Sequence, residues 1–171
     1  MADLRHAVRR LRHPLEAAVA VCLVVLLLSV TVAGWAWSTD RDRARVSAGE
    51  QAALKAARVH VVDVLSYDFP TVEKDMRRAE SNLSGDFADD FTKMANHLII
   101  PTARAKGIRT HAEVTSAGVV RSSVDRVVVL LFVNQTTTSR AVPEPTLDGS
   151  RLEVTLDRAG DGWLISKLTP L

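Results

Sequence analysis

The 171-residue chain contains a single cysteine, Cys22, and this scarcity excludes several kinds of site. No disulfide can form within one chain, and no cysteine-based metal site can be built. Lysine and arginine are not in excess after residue 37, where together they equal aspartate and glutamate in number. A domain without clustered cations is a poor nucleic-acid binder, because affinity for phosphate depends on clustered positive charge. We therefore expect no nucleic-acid partner.

The residue patterns typical of catalysis are also missing. The sequence has no glycine-rich phosphate loop, no recognisable order of Ser, His and Asp, and no histidine pair at the spacing of a metal-binding helix. We interpret His60, His97 and His111 as solvated or hydrogen-bonded side chains. Asp89 and Asp90 are adjacent in a predicted helix and point in different directions, which indicates an exposed face. The sequence thus predicts no enzyme, no catalytic residue, no metal and no cofactor.

The most prominent feature that is present is an uncharged apolar run from Ala17 to Trp37. A helix of this length, rising about 1.5 Å per residue, measures roughly 30 Å, the thickness of a bilayer's hydrocarbon core. We predict a basic tail over residues 1–14, a transmembrane helix over 15–37 and one domain over 38–171. The residues predicted to act as the membrane anchor are Ala17, Leu26, Gly34, Trp35 and Trp37.

Arginines precede this run, and only Asp3 opposes them in the tail. The positive-inside rule then places the tail in the cytoplasm and the domain outside, although three arginines between residues 41 and 45 nearly balance the count. A cleaved signal peptide is the competing interpretation, because residues 34–36 resemble a small-x-small cleavage site. The run is longer than a typical signal core. We expect a single-pass cell-membrane protein in contact with lipid, its domain in a periplasm-like space.

Helical periodicity covers the first half of the domain. A long helix is predicted over residues 46–65, and it ends before Pro70. Thr71 is expected to cap a second helix, and residues 84–86 to open a third. Pro101 either kinks the third helix or starts a short new one. The predicted core stripes are Leu54, Ala57, Val61, Val64 and Leu65 in the first helix, Val72, Met76, Ala79 and Leu83 in the second, and Phe87, Phe91, Met94 and Leu98 in the third.

The second half alternates with the period of β-strands. Residues 110–120 are predicted to form a strand with a bulge around Gly118. Residues 127–133 are apolar on both faces, which indicates a central strand covered on each side. Residues 151–157 form a half-exposed strand, and a hairpin then leads into a last strand over 163–168. The expected fold class is α+β, with three helices packed on a curved four-stranded antiparallel sheet.

Several segments, in a fixed order, resemble one protein family. They are Tyr67-Asp68 at the end of the long helix, Ser84-Gly85-Asp86-Phe87, VLLFVNQTTT over 129–138, RLEVT over 151–155 and GWLIS over 162–166. With the N-terminal anchor, they resemble the actinobacterial Mce-associated membrane proteins over nearly the whole chain after Pro14. That family is associated with mammalian cell entry (Mce) systems, which import lipids and sterols across the mycobacterial-type envelope. The resemblance implies a nuclear transport factor 2-like (cystatin-like) domain.

The same resemblance implies a non-enzymatic accessory subunit, a scaffold that stabilises or assembles an Mce lipid or sterol importer. Its implied partners are Mce transporter subunits or other envelope membrane proteins, and a homo-oligomer is a further option. The alternative is a lipid or sterol carrier that uses a pocket between the sheet and the helices. A pocket enzyme is the third hypothesis, with Tyr67 and Asp68 as its candidates. At a helix end, however, Asp68 is expected to bond turn amides.

A small set of residues is predicted to contact a pocket ligand or a partner. These residues are Tyr67, Asp68, Phe132, Asn134, Gln135 and Trp163. We interpret Asn134 and Gln135 as polar residues that close the central strand. Trp163 is interpreted as core, with a partner-facing role as the alternative. The segment 139–149 is interpreted as a connector, with a docking loop as the alternative.

Overall fold

The structure of the protein is a computed structural model that describes residues 48–171. The predicted tail, the predicted transmembrane helix and its anchor residues lie outside the described residues. Within residues 48–171, no helix is both long enough and apolar enough to span a bilayer.

The described residues form helices followed by a meander of long strands. The helices are α1 (residues 48–65), α2 (Val72–Glu80), α3 (Gly85–Met94) and α4 (Ile100–Lys106), with a π-helical turn (Ala95–Ile99) between α3 and α4. The strands are β1 (Tyr67–Asp68), β2 (Arg109–Ser122), β3 (Arg126–Thr138), β4 (Thr146–Ala159) and β5 (Gly162–Pro170). Neighbouring strands pair antiparallel in the order β1-β2-β3-β4-β5.

The predicted α+β class is confirmed, but the sheet has one more strand than predicted. Tyr67 pairs with Thr110 and Asp68 with Arg109, in the short strand β1. The sequence predicted only a helix end here, because two residues are too few to show a strand's alternation.

The predicted stripe of α2 is confirmed as a core face, and that of α1 is buried or half-buried. The predicted stripe of the third helix is correct at Phe91, which is buried, but wrong at its end. Met94 is 45% exposed and Leu98 is 60% exposed. The π-helical turn explains the exposure of Leu98, because its wider turn shifts the inward-facing positions that follow Met94. Ala95 and Ile99, rather than Leu98, pack against the core.

Pro101 lies in the first turn of α4, directly after the π-helical turn. The junction residues Met94, Ala95, Ile99 and Ile100 all have helical φ and ψ, so the backbone stays helical from α3 into α4. The irregular turn coincides with a proline, which lacks the N–H for an intrahelical hydrogen bond. Gly107 ends α4 as predicted, with a left-handed φ of 64° that other residues rarely adopt. The sequence left open a kink or a short new helix, and in the structure α4 continues from α3 through the π-helical turn rather than starting after a break.

Strand β2 is bent at two bulges, and neither lies at Gly118. The register shifts between Val114 and Ser116 and again between Val119 and Arg121, whereas Gly118 pairs in register with a residue of β3. The bulge predicted around Gly118 corresponds to the shift between Val119 and Arg121, whereas the shift between Val114 and Ser116 was not predicted. Bulges on either side of Gly118 increase the local twist and curve the sheet around the helices.

Strand β3 is central in the sheet, as predicted, but its outer face is covered only in part. The inward-facing residues Val127, Val129, Leu131 and Val133 are buried in the core. On the outer face Val128 is buried and Leu130 is half-buried, whereas Phe132 is 42% exposed, so the predicted cover on both faces holds at Val128 and fails at Phe132. Apolar residues on both faces of a strand indicate burial only if a second layer packs there.

The connector between β3 and β4 is shorter than predicted. Strand β4 begins at Thr146, so residues 146–149 belong to the sheet rather than to the loop. Asp148 and Gly149 interrupt the alternation of apolar and polar residues, so the sequence did not indicate a strand there.

The outer edge of β5 is joined to the α2–α3 linker. Ile165 N donates to Asn82 O and Ser84 N donates to Ile165 O, each at 2.9 Å. Leu83 therefore forms a parallel bridge with Ile165, and both side chains are buried.

Candidate functional site

Three cavities of the described domain contain residues that the sequence analysis selected. The polar pocket, about 460 Å³, is bordered by β1, α2 and β2 and includes Tyr67, Asp68, Asp75, Arg78, Arg109 and His111. The apolar cavity, about 510 Å³, lies between the sheet and the helices and includes Tyr67, Phe87, Phe91, Met94, Gln135 and Leu168. The outer groove, about 460 Å³, lies on the opposite face of the sheet and includes Phe132, Asn134, Arg151 and Leu171.

The predicted contact residues are therefore not brought together at one site. Tyr67 borders two cavities, and Asn134 and Gln135 line different ones because consecutive strand residues face opposite ways. Trp163 lines none of these three cavities. It is 4% exposed and belongs to the core, with the Arg158 guanidinium stacked 4.7 Å from its ring centroid.

Asp75 organises the polar pocket and is only 7% exposed. Its Oδ2 accepts hydrogen bonds from Thr71 Oγ1 at 2.8 Å and from Asp68 N at 3.2 Å. Its Oδ1 lies 3.2 Å from an Arg78 guanidinium nitrogen. The carboxylate also lies in the first turn of α2, where the helix dipole favours negative charge. The sequence analysis expected the Asp68 side chain to accept from turn amides. In the structure the Asp75 carboxylate is the acceptor, and Asp68 contributes its backbone N–H as a donor.

The sequence analysis missed Asp75, although its spacing carried a signal. Asp75 lies three residues after Val72 and directly before Met76, so it falls at the margin of the buried stripe of α2. An acid at that position needs hydrogen-bonding partners when it is buried. The Thr71 hydroxyl supplies one by donating to Asp75. It therefore does not accept from the first amides of α2, as the predicted cap would have done.

The other charges of the polar pocket are paired with one another. Asp68 Oδ1 lies 3.2 Å from Arg109 Nε. This ion pair is half-exposed and is of the kind that contributes little to stability. Arg78 also contacts Asp63 of α1 at 2.9 Å, and Asn82 donates to the other oxygen of Asp63 at 2.9 Å. These contacts connect α1, α2 and β1, so the arrangement serves to join elements of the fold.

No group of three or more His, Cys, Asp and Glu side chains within residues 48–171 is placed to hold a metal ion.

His60 is a half-buried histidine of α1 whose Nδ1 has no hydrogen-bond partner among the described residues. Burial lowers the pKa of its imidazole below the ordinary value of 6.5, although nearby Asp63 acts in the opposite direction. The folded state therefore favours the neutral ring. The unfolded chain takes up the proton at a higher pH than the folded chain does.

We expect this difference to make the domain less stable as the pH falls below 6.5. Thermal melting of the full chain between about pH 7 and pH 5.5 should show a falling Tm in the wild type and a smaller fall in His60→Gln. His97→Gln, which alters an exposed histidine, should match the wild type. Identical pH profiles for wild type and His60→Gln would contradict this assignment.

The comparisons with known proteins begin at the level of sequence. The family described as "Uncharacterized protein Rv1363c/MT1408-like" matches residues 15–169. The Mycobacterium tuberculosis protein Rv1362c is 37% identical over 125 residues, which are 73% of this chain but only 57% of Rv1362c. The M. tuberculosis protein named outer membrane protein Rv1973 is 41% identical over 119 residues, which are 70% of this chain and 74% of Rv1973.

Solved structures resemble the domain in fold. An IcmL-like type IV secretion system protein from Legionella pneumophila matches with a TM-score of 0.59 and 9% identity, over 69% of this chain and 90% of that one. The periplasmic domain of DotI matches with a TM-score of 0.60 and 15% identity, over 71% of this chain and 94% of that one. Agrobacterium tumefaciens VirB8 matches with a TM-score of 0.57 and 14% identity, over 72% of this chain and 92% of that one. These matches confirm the predicted α+β fold, with helices packed on an antiparallel sheet.

Proposed function

This chain belongs to the Rv1363c/MT1408-like family, and from that premise we propose that it is a non-enzymatic accessory subunit of the cell envelope. Its role is to stabilise or assemble an Mce lipid or sterol importer through contact with transporter subunits. A relative bears the name outer membrane protein, which supports an envelope location. A protein of the same fold is a type IV secretion system component, which supports a role in an envelope assembly.

The observation that carries this proposal is the exposed part of the outer face of the sheet, around Phe132. Phe132 is 42% exposed there and borders the outer groove with Leu171, which is 64% exposed. Leu147 lies on the same face, because it pairs with Thr136 of β3, and it is also largely exposed. Exposed apolar groups with polar neighbours are typical of protein-contact surfaces.

The polar neighbours of this face suit a reversible contact. Arg151 pairs with Phe132 in register, and Gly149 pairs with Asn134, so cationic, amide and backbone groups surround the aromatic ring. Aromatic and arginine side chains are the residue types that most often dominate binding energy at interfaces. In this proposal a predicted transmembrane helix over residues 15–37 holds the face beside its partners at the membrane.

We expect Phe132→Asp to reduce recovery of Mce transporter subunits with the tagged full chain at least tenfold, since an interface anchor contributes about 2 kcal/mol. The complex would be solubilised in mild detergent from native membranes and quantified by mass spectrometry. Val124→Asp is the matched control, because Val124 is 50% exposed in the turn between β2 and β3.

Both variants should keep the wild-type Tm, because neither side chain is buried. Equal recovery of transporter subunits with Phe132→Asp and wild type would reject the outer face as the contact surface. Recovery of no Mce subunit with the wild-type chain would reject the scaffold role itself.

A further inference from the structure

The apolar cavity has the size and walls of a ligand site. Its volume of about 510 Å³ lies within the range of roughly 300–1,000 Å³ that is common for small-molecule pockets. Phe87, Phe91 and Met94 of α3 form one wall, and Ile108 and Leu168 line it from the sheet side. Val64 and Phe91 also belong to the hydrophobic core, so the core itself forms part of the hydrocarbon lining.

The π-helical turn shapes this wall. It brings Ile99 into the lining and leaves Leu98 outside, exposed to solvent. Met94 lines the cavity while it stays 45% exposed, so its flexible thioether lies at the boundary between the cavity and water. Single π-helical turns within helices recur at functional sites.

The polar lining residues are concentrated at one end of the cavity. Thr110 of β2 pairs with Thr137 of β3, and Gln135 pairs with Asp148 of β4, so all four lie on adjacent inward-facing positions. The hydroxyls of Thr110 and Thr137 are 3.3 Å apart, and Gln135 Nε2 lies 3.5 Å from the carbonyl oxygen of Leu65. This end offers hydroxyl, amide and carboxylate groups in the same lining as the apolar side chains.

The charge of the lining selects the head group of a ligand. Asp148 is the only charged residue among those that line the cavity, and the lining contains no Lys, Arg or His from the described part of the chain. Asp148 is exposed, so it lies where the cavity meets solvent. A ligand carboxylate or phosphate beside it would meet a like charge, with no cation in the lining to pair with it. A hydroxyl could donate to Asp148 and also accept from an amide or a threonine hydroxyl.

We propose that the apolar cavity binds an uncharged lipid alcohol, with its hydrocarbon body against α3 and its hydroxyl at the end formed by Thr110, Gln135, Thr137 and Asp148. The proposal goes beyond the scaffold role and does not depend on it, because it needs no transporter subunit. Partner contact uses the outer face of the sheet, whereas this ligand occupies the inner one.

Photolabelling of the full chain in its native membranes tests the proposal. The probe is a 12-carbon primary alcohol with a diazirine in its chain, and the matched probe is the corresponding fatty acid. We expect saturable labelling by the alcohol in the peptides that contain α3, the π-helical turn and β3, at least tenfold above the acid. Excess 1-dodecanol should remove it. Equal labelling by both probes, or labelling that 1-dodecanol does not reduce, would overturn the proposal.

Variants at the cavity complete the test. Met94→Trp fills the space from its boundary and should reduce alcohol labelling at least fivefold, whereas Leu98→Trp, on the exposed side of the same helical segment, should leave it unchanged. Thr137→Val keeps the shape of the side chain and removes its hydroxyl, so it should narrow the preference for alcohol over acid. Undiminished labelling of Met94→Trp, or an unaltered alcohol preference in Thr137→Val, would contradict the proposed pose.

Discussion

Replacing Trp163 with alanine should lower the free energy of unfolding by about 4 kcal/mol, because large-to-small substitutions of buried aromatic residues typically cost about 3–5 kcal/mol. Trp163 is nearly fully buried in the described domain. Its ring lies under the Arg158 guanidinium and beside Gly49 of α1, where an added Cβ would lie 3.4 Å from the ring. The substitution would therefore remove packing against both β4 and α1. Urea unfolding of the full chain in mild detergent, followed by circular dichroism, measures the loss.

Phe132→Ala is the matched control for Trp163→Ala. Both residues are aromatic and lie in strands, but Phe132 is 42% exposed, so its truncation should cost less than about 1 kcal/mol. The pair also separates the two roles considered for Trp163. If Trp163→Ala kept wild-type stability and lost its partners, the core assignment would be wrong and the partner-facing alternative right.

Replacing Asp75 with alanine should lower the free energy of unfolding by about 3 kcal/mol, since hydrogen bonds to a charged group contribute about 1.5–3 kcal/mol each and are not additive. The Thr71 hydroxyl and the Asp68 amide would both lose their acceptor. Arg78 would keep its contact with Asp63, so its contribution to the loss is small. The measurement is again urea unfolding of the full chain.

Two further variants identify the cause of the Asp75 effect. Asp75→Asn keeps an acceptor for the amide or the hydroxyl and should lose about half as much stability. Asp90→Ala removes an acid of α3 that forms only an exposed pair with Lys93, and it should leave the unfolding transition unchanged. A loss in Asp90→Ala equal to that in Asp75→Ala would show that charge, rather than the buried bonds, is responsible.

Elements with long, regular patterns were predictable from the sequence. The stripe from Val72 to Leu83 repeats at helical spacing and is buried throughout. The last hairpin was predicted from the alternation in β4 and from the turn at Gly160, because such local patterns depend little on distant contacts. The α+β class follows from the change of period between the two halves.

Features that depend on tertiary contacts were not predictable in the same way. The π-helical turn changes the phase of a helix without any change in composition, so Leu98 was assigned to the core and lies outside it. Strand β1 exists only through its pairing with β2. The outer face was predicted as covered, because a strand sequence reports the polarity of each face but not what packs against it.

The sequence identified residues that border cavities, but it did not show how the fold arranges these residues relative to one another. Tyr67, Gln135 and Phe132 each border a cavity, yet these cavities lie on different sides of the sheet. Asp75 was missed because its role depends on the fold of the preceding turn, which brings Thr71 and the Asp68 amide to its carboxylate.

The bridge between Leu83 and Ile165 has a consequence for how copies of this domain meet. An uncovered edge strand exposes unpaired N–H and C=O groups and can join the sheet of a neighbouring molecule. At β5 the α2–α3 linker already bonds the middle of that edge, and at the opposite edge the bulges of β2 twist its backbone away from a straight partner. Crowded copies are thereby protected from edge-to-edge aggregation, and the faces of the sheet remain for specific contacts.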